Sequence, residues 1–228
     1  MDTYGQFCPV ALAAEVLTRR WTPLVIRELL CGSTRFNDLR RGVPRMSPSL
    51  LSTRLDELEV AGIVTRRVPE GSDHPEYRLT RAGEELRPIV EAMGVWGRRW
   101  TSGDLTDDEL DPDLLMWDVR RRLDASKAPR GRTVVRFHFP DQPEARQSYW
   151  LVVEGHGEVD LCWHDPGHPV DLVVEAELAT MTGIWVGDYR FDEVLERREV
   201  KLRGPSELRR SFPRWLGLSL FAAVARPA

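Results

Sequence analysis

The chain has 228 residues, of which 42% are hydrophobic and 30% charged, and its formal net charge is −4. That is enough chain for one large domain or two small ones around a buried core, and the acid excess excludes a protein that coats nucleic acid indiscriminately. The charge is uneven: residues 1–100 hold 15 basic and 13 acidic side chains, and the remainder holds 17 and 23.

Cys8-Pro9 opens a predicted helix running to about Arg20, with Val10, Ala13, Ala14 and Leu17 as its inner face. In Trp21-Thr22-Pro23 the threonine is expected to cap a second helix, with proline in its first turn. That helix uses Leu24, Val25, Leu29 and Leu30 and stops at Gly32. Arg35 to Arg41 reads as a third helix. Ser47-Pro48 then starts a fourth: the serine side chain can take a free backbone N–H, and proline occupies a position where no N–H is needed. Leu51, Leu55 and Leu58, with Leu50 beside them, form one apolar stripe, and Ala61-Gly62 ends the helix.

The opposite face of that helix carries Ser49, Ser52, Thr53 and Asp56, flanked by Arg45 and Arg54. Small polar residues on exposed N-terminal turns let a helix enter a major groove, because nothing bulky holds it off the base edges. Ile63–Val68 and Glu76–Leu79 alternate as strands around a turn-rich tip, which predicts a hairpin. Arg66, Arg67, His74 and Arg78 lie on or near it, placed to hold phosphate or reach a minor groove. The expected DNA-binding residues are therefore Arg45, Ser47, Ser49, Ser52, Thr53, Arg54, Arg66, Arg67, His74 and Arg78. Thr80 is expected to cap one long helix from Arg81 to Trp100. Its Leu86, Ile89, Val90, Met93, Val95, Trp96 and Trp100 give more apolar surface than a small domain needs, which suggests pairing with the same helix of a second chain.

CPVALAAEVLTRRWTPLVIRELL, RFNDLRRGV, LLSTRLDELEVAGIVTRRV and EYRLTRAGEELRPIVEAMGVWGRRW together resemble the HxlR family of bacterial winged-helix regulators, from Cys8 to about Trp100. The carriers are the Cys-Pro opening, Arg-Trp-Thr before the second helix, Tyr-x-Leu-Thr-x-x-Gly at the long helix and the closing Trp96. Pro44 to Ser49 departs from the family's isoleucine-rich entry, so base preference does not carry over. The resemblance implies homodimers on palindromic double-stranded DNA, with helix Ser47–Ala61 in the major groove and the hairpin as wing. Cys8 precedes the first helix, where backbone N–H groups and the dipole can lower its pKa; it is either a redox-sensing thiol, as the resemblance to this family suggests, or a packing residue.

The polar joint Thr101–Leu110 sets the expected boundary between domains 1–103 and 104–228. Asp111-Pro112 starts a helix running to Leu123, on which the run Arg120 to Arg122 either touches DNA or forms a solvated face. From Arg132 the period changes to two. Thr133–Phe139, Ser148–Glu154, Glu158–His164 and Val170–Ala176 read as strands of a mostly antiparallel meander. Helices follow at Leu178–Val186 and Phe191–Leu195, then an edge strand Glu199–Leu202. A closing helix Ser206–Phe221 is expected to break or restart at Pro213. The meander, Asp171 to Val174, Thr182-Gly183, Gly187-Asp188 and Leu202 to Pro205 resemble a sterol carrier protein-2-like domain. That resemblance implies an apolar cleft, for which Trp150, Trp163, Met181, Trp185, Phe212 and Trp215 are the expected lining; the same aromatics can equally fill a core.

The fold class is thus α+β: a winged helix-turn-helix domain followed by an SCP2-like domain with a mostly antiparallel sheet. Cys162-x-His164-x3-His168 has metal-like residue types but lacks a convincing fourth ligand, so no metal and no cofactor is expected. Patterns of the common enzyme classes are missing. The polar start Met1–Gly5 does not resemble a signal peptide, Leu216–Ala225 is too short to span a bilayer, and Cys8, Cys31 and Cys162 are too scattered for a disulfide framework. A cytoplasmic transcriptional regulator that senses an apolar small molecule is the leading reading. A lipid or acyl-ligand carrier with an accessory DNA-binding half is the alternative.

Overall fold

The computed structural model describes residues 3–101 and 106–226. The expected joint at Ser102-Gly103-Asp104 lies outside the described residues. The chain divides into two compact units, Met1–Trp96 and Gly97–Ala228.

In the first unit, α1 (Pro9–Leu17), α2 (Thr22–Leu30), α3 (Phe36–Gly42) and α4 (Pro48–Val60) precede a hairpin of β1 (Val64–Arg67) and β2 (Glu76–Leu79). Leu51, Leu55 and Leu58 of α4 close against Val25, Ile26 and Leu29 of α2, Leu39 of α3, and Val64 and Tyr77 of the hairpin. The turn between α3 and α4 contributes Val43 and Met46 to the same core. Burying each such aliphatic side chain is worth roughly 1.5–3 kcal/mol, which locks α4 in place.

Two expectations for the opening helices are corrected. α1 stops at Leu17, where both the backbone N–H and the hydroxyl of Thr18 bond to the Ala14 carbonyl. Val10 and Ala13 are exposed on it, and only its last turn, at Val16 and Leu17, meets the core. Thr22 does not cap α2. It is buried as the first helical residue with its hydroxyl unpartnered, and Trp21 occupies the cap position in a left-handed backbone conformation.

The expected helix Arg81–Trp100 is two helices, α5 (Arg81–Glu84) and α6 (Arg87–Trp100). Pro88 has no N–H to give the carbonyl of Glu84, so the ladder is interrupted there. Thr80 does cap α5, accepting from the Gly83 N–H at 3.2 Å.

The second unit holds α7 (Pro112–Arg122), β3 (Thr133–His138), β4 (Ser148–Val153), β5 (Val159–Cys162), β6 (Leu172–Ala176), α8 (Leu178–Val186), α9 (Phe191–Glu196), β7 (Val200–Arg203) and α10 (Ser206–Trp215). Among the described residues its strands form one sheet in the order β5-β4-β3-β6-β7. All neighbours are antiparallel except β3 and β6, which run parallel. The link from β5 to β6 therefore carries the chain from one side of β3 to the other.

Alternation sends Val135, Phe137, Tyr149, Leu151, Leu161, Leu172 and Val174 into one core with α7, α8 and α10. Leu115, Met116 and Val119 are the inner face of α7. Its arginines are tied down locally. Arg120 donates to the Val159 carbonyl at 3.0 Å and lies over Trp117, Arg121 pairs with Asp118, and Arg122 donates to the Leu218 carbonyl at 3.2 Å. Arg120 and Arg121 are half-buried by these contacts, and Arg122 stays exposed. α10 passes through Pro213 without breaking and ends at Trp215, short of the expected Phe221.

Candidate nucleic-acid interface

The Ser47 hydroxyl accepts from the Leu50 N–H at 3.3 Å and Pro48 takes the first helical position, so the start of α4 is set by these two residues. Its end is set by Gly62, whose φ of +70° lets the Ile63 N–H return to the Leu58 carbonyl at 2.9 Å. Between these stops, burial of the leucine stripe turns Ser49, Ser52, Thr53 and Asp56 to solvent. Ser47 and Ser49 hydroxyls lie 3.2 Å apart, and the Thr53 hydroxyl donates to the Ser49 carbonyl at 3.0 Å. Arg45 is exposed just ahead of them. Asp56 and Glu59 make the far end of this face acidic.

The hairpin pairs Thr65 with Arg78 and Arg66 with Tyr77. Arg66, Arg67, His74 and Arg78 are all exposed. The Arg66 guanidinium sits over the Tyr77 ring at 5.9 Å, and its backbone N–H is accepted by Glu59 at 3.3 Å, tying the wing to α4. Arg78 is held by Glu76 at 2.8 Å. A bridge between Arg35 and Glu76, with the Tyr77 N–H donating to the Thr34 carbonyl at 2.8 Å, fastens the hairpin to the segment before α3. The sequence reading missed this third element, because a single bridge leaves no periodic trace.

Arg54 stands apart from the other candidates. Its side chain is only 12% exposed and is paired with Glu57, which also holds Arg19 at 2.8 Å. Glu57 thereby joins α4 to the segment just after α1. Cys8 is half-buried at the cap position of α1, where its carbonyl accepts from the Leu12 N–H at 3.1 Å.

In the second unit the expected pocket lining divides. Met181, Phe212 and Trp215 are fully buried in the continuous core, where Phe212 meets Trp215 edge-on at 5.0 Å, and Trp185 joins them. Trp163 packs at the edge of this core and donates to Asp113 at 3.0 Å. Trp150 alternates with Tyr149 and Leu151 and so lies on the other sheet face. These six residues do not surround one space. An apolar cleft of about 610 Å³ lies elsewhere, among α8, α9, α10 and the tail after Leu216, and is lined by residues such as Ile184, Phe191, Leu218 and Leu220. Among the described residues no cluster of three His, Cys, Asp or Glu is arranged for a metal, and no helix is long and apolar enough to cross a membrane. His168 is instead within 3.2 Å of Arg132.

Residues 16–104 match the family described as HxlR-like helix-turn-helix. Over 105 residues the chain is 38% identical to the uncharacterized HTH-type transcriptional regulator YvaP of Bacillus subtilis (strain 168), covering 45% of this chain and 97% of that one. It is 34% identical to the HTH-type transcriptional regulator YodB of the same organism, again over 45% of this chain and covering 94% of the other. Among solved structures, the redox regulator HypR in its reduced form is 36% identical, covering 40% of this chain and 90% of that one, with a TM-score of 0.38.

Proposed function

The chain belongs to the HxlR-like helix-turn-helix family of DNA-binding transcriptional regulators, and from that premise we propose that it works as a homodimer on a palindromic operator and responds to an apolar ligand held by its C-terminal unit. The observation that carries the DNA reading is the serine-threonine face of α4. It is capped, exposed and free of bulky side chains, with Arg45 at its start and Arg66 and Arg67 on the hairpin beside it. Base edges are met by Ser49, Ser52 and Thr53, and the arginines hold phosphates.

The dimer reading rests on α6. Ile89, Met93, Trp96 and Trp100 recur every three or four residues along one stripe and are 43–60% exposed. A water-facing stripe of that size marks an interface. Phe7, Val10 and Leu12, at and before α1, are also exposed. Two copies joined in this way present two α4 helices to half-sites about one DNA turn apart. For residues 104–228 the SCP2-like reading is supported by the order of elements: a helix, an antiparallel meander, a crossing to a parallel strand, then helices and an edge strand.

The test is a titration of the purified chain against its own promoter region and a scrambled duplex at two salt concentrations, with Arg66→Ala and Ser49→Ala alongside. Preference for the promoter that falls in Ser49→Ala supports the reading. Equal weak binding to both duplexes overturns it.

A further inference from the structure

Three parts of the second unit meet at one carboxylate. Asp188 follows α8, in a turn opened by Gly187 at φ +86°. One of its oxygens accepts from Arg98 Nη2 at 2.7 Å, and the other accepts from Arg226 Nη2 at 3.2 Å. Arg98 belongs to the last turn of α6, the helix that carries the exposed stripe. Arg226 belongs to the tail that walls the apolar cleft. The turn itself also lines that cleft, through Gly187 and Tyr189 on either side of Asp188.

The Arg98 side chain is only 9% exposed, and its Nε and Nη1 atoms are buried without partners. Its hydrogen bonding therefore rests on Asp188. A buried cation deprived of its partner is strongly penalised, so Arg98 must follow the carboxylate or leave its place. The tail cannot shift independently either. The Ser219 N–H donates to the Trp185 carbonyl at 3.0 Å, and Ala222 backbone atoms fill the space where Gly187 would carry a β-carbon.

The cleft has the size of a small-molecule site, and its walls are mostly aliphatic, with Phe191 and Tyr189 added. Its charged lining residues are Arg122, Arg190 and Asp192; Arg190 and Asp192 are paired at 2.7 Å, so the one net positive charge is that of Arg122. A hydrocarbon with a single anionic head suits that combination. We propose that this cleft binds an amphipathic carboxylate, and that Asp188 transmits its occupancy to the last turn of α6 through Arg98. The proposal rests on the ligand-sensing reading above and names the ligand class and the route.

The experiment uses the full chain and cis-parinaric acid, whose emission reports binding, with its methyl ester as the uncharged control. Amide hydrogen exchange of the peptide spanning residues 93–101 reports the state of α6. The acid is expected to bind saturably, about tenfold tighter than the ester, and to change exchange in that peptide by about fivefold. Leu220→Arg should lose the probe. Asp188→Asn should keep probe affinity within about twofold while the exchange response disappears. Arg226→Gln, which leaves the Arg98 pair in place, should weaken that response and serves if Asp188→Asn does not fold. No saturable binding, or equal binding of acid and ester, overturns the ligand assignment. A response that survives in Asp188→Asn, or that is undiminished in Arg226→Gln where that variant serves, overturns the route. No arm contains DNA, so failure of the operator reading would appear in the promoter titration and not here.

Discussion

Gly42 and Glu28 share one space: the Glu28 carboxyl lies where a β-carbon on Gly42 would project. Glu28 is fully buried in α2. It pairs with Arg27 at 2.7 Å and accepts from the Ser33 hydroxyl at 3.4 Å, and Arg27 also donates to the Gly42 carbonyl at 2.9 Å. The α2–α3 contact is thus built around a buried carboxyl group. Gly42→Ala should cost about 1–3 kcal/mol in urea unfolding, because the carboxyl cannot move without losing its partners. Combined with Glu28→Ala, the loss should fall short of the sum of the single losses by more than about 0.5 kcal/mol; additive values would show that the two do not compete for the space.

Tyr149 anchors the start of α7. Its hydroxyl donates to Asp113 at 2.8 Å, and Asp113 also holds Arg146 at 2.8 Å. Burial, and then the bond to Asp113, pushes the phenol well above its ordinary range. Tyr149→Phe should destabilise by about 1–3 kcal/mol. Because the folded-state value is raised, this contribution is present in full below about pH 10, the unfolded value, and is lost as pH rises through the folded one. Unfolding curves of both chains should therefore differ by a constant amount at neutral pH and converge in strong alkali.

Arg54 and Arg66 should separate structure from recognition. Arg54→Ala removes the brace to Glu57 and should lower the melting temperature while leaving the salt dependence of DNA binding unchanged. Arg66→Ala should do the reverse, reducing the salt slope by about 0.9 if one phosphate contact is lost. A changed slope in Arg54→Ala would place that side chain at the DNA after all.

Trp96→Asp should leave the circular dichroism spectrum intact, since the indole is 60% exposed, and yet shift the chain from dimer to monomer in sedimentation. Operator affinity should drop by about tenfold or more as the two half-sites uncouple. A dimer that persists unchanged would move the interface away from the α6 stripe.

What was legible in the sequence was local. Ser47, Pro48, the leucine stripe and Gly62 act within one helix, so α4 and its outward face could be read from spacing alone. The hairpin was equally plain, because its strands are close in sequence. What escaped depends on partners far apart. That Glu57 holds Arg19 as well as Arg54 joins residues 38 positions apart, and the burial of Glu28 depends on Gly42 of α3 lying over it. The six aromatic and methionine positions looked like one lining because spacing cannot tell the two faces of a sheet apart across different strands. Arg98 and Asp188 are separated by 90 positions, and nothing in either neighbourhood announces the other.

The parallel pairing of β3 with β6 bears on how the second unit comes into being. The strands β3, β4 and β5 can zip together as neighbours in the chain, but until Leu172 to Ala176 arrives β3 keeps a row of bare amides and carbonyls along its other edge. Such an edge recruits strands from other molecules. Fragments that end between Cys162 and Leu172 should therefore precipitate, whereas cuts made ahead of Pro112 avoid the hazard, and those are the positions at which to separate the DNA-binding half for crystals or NMR.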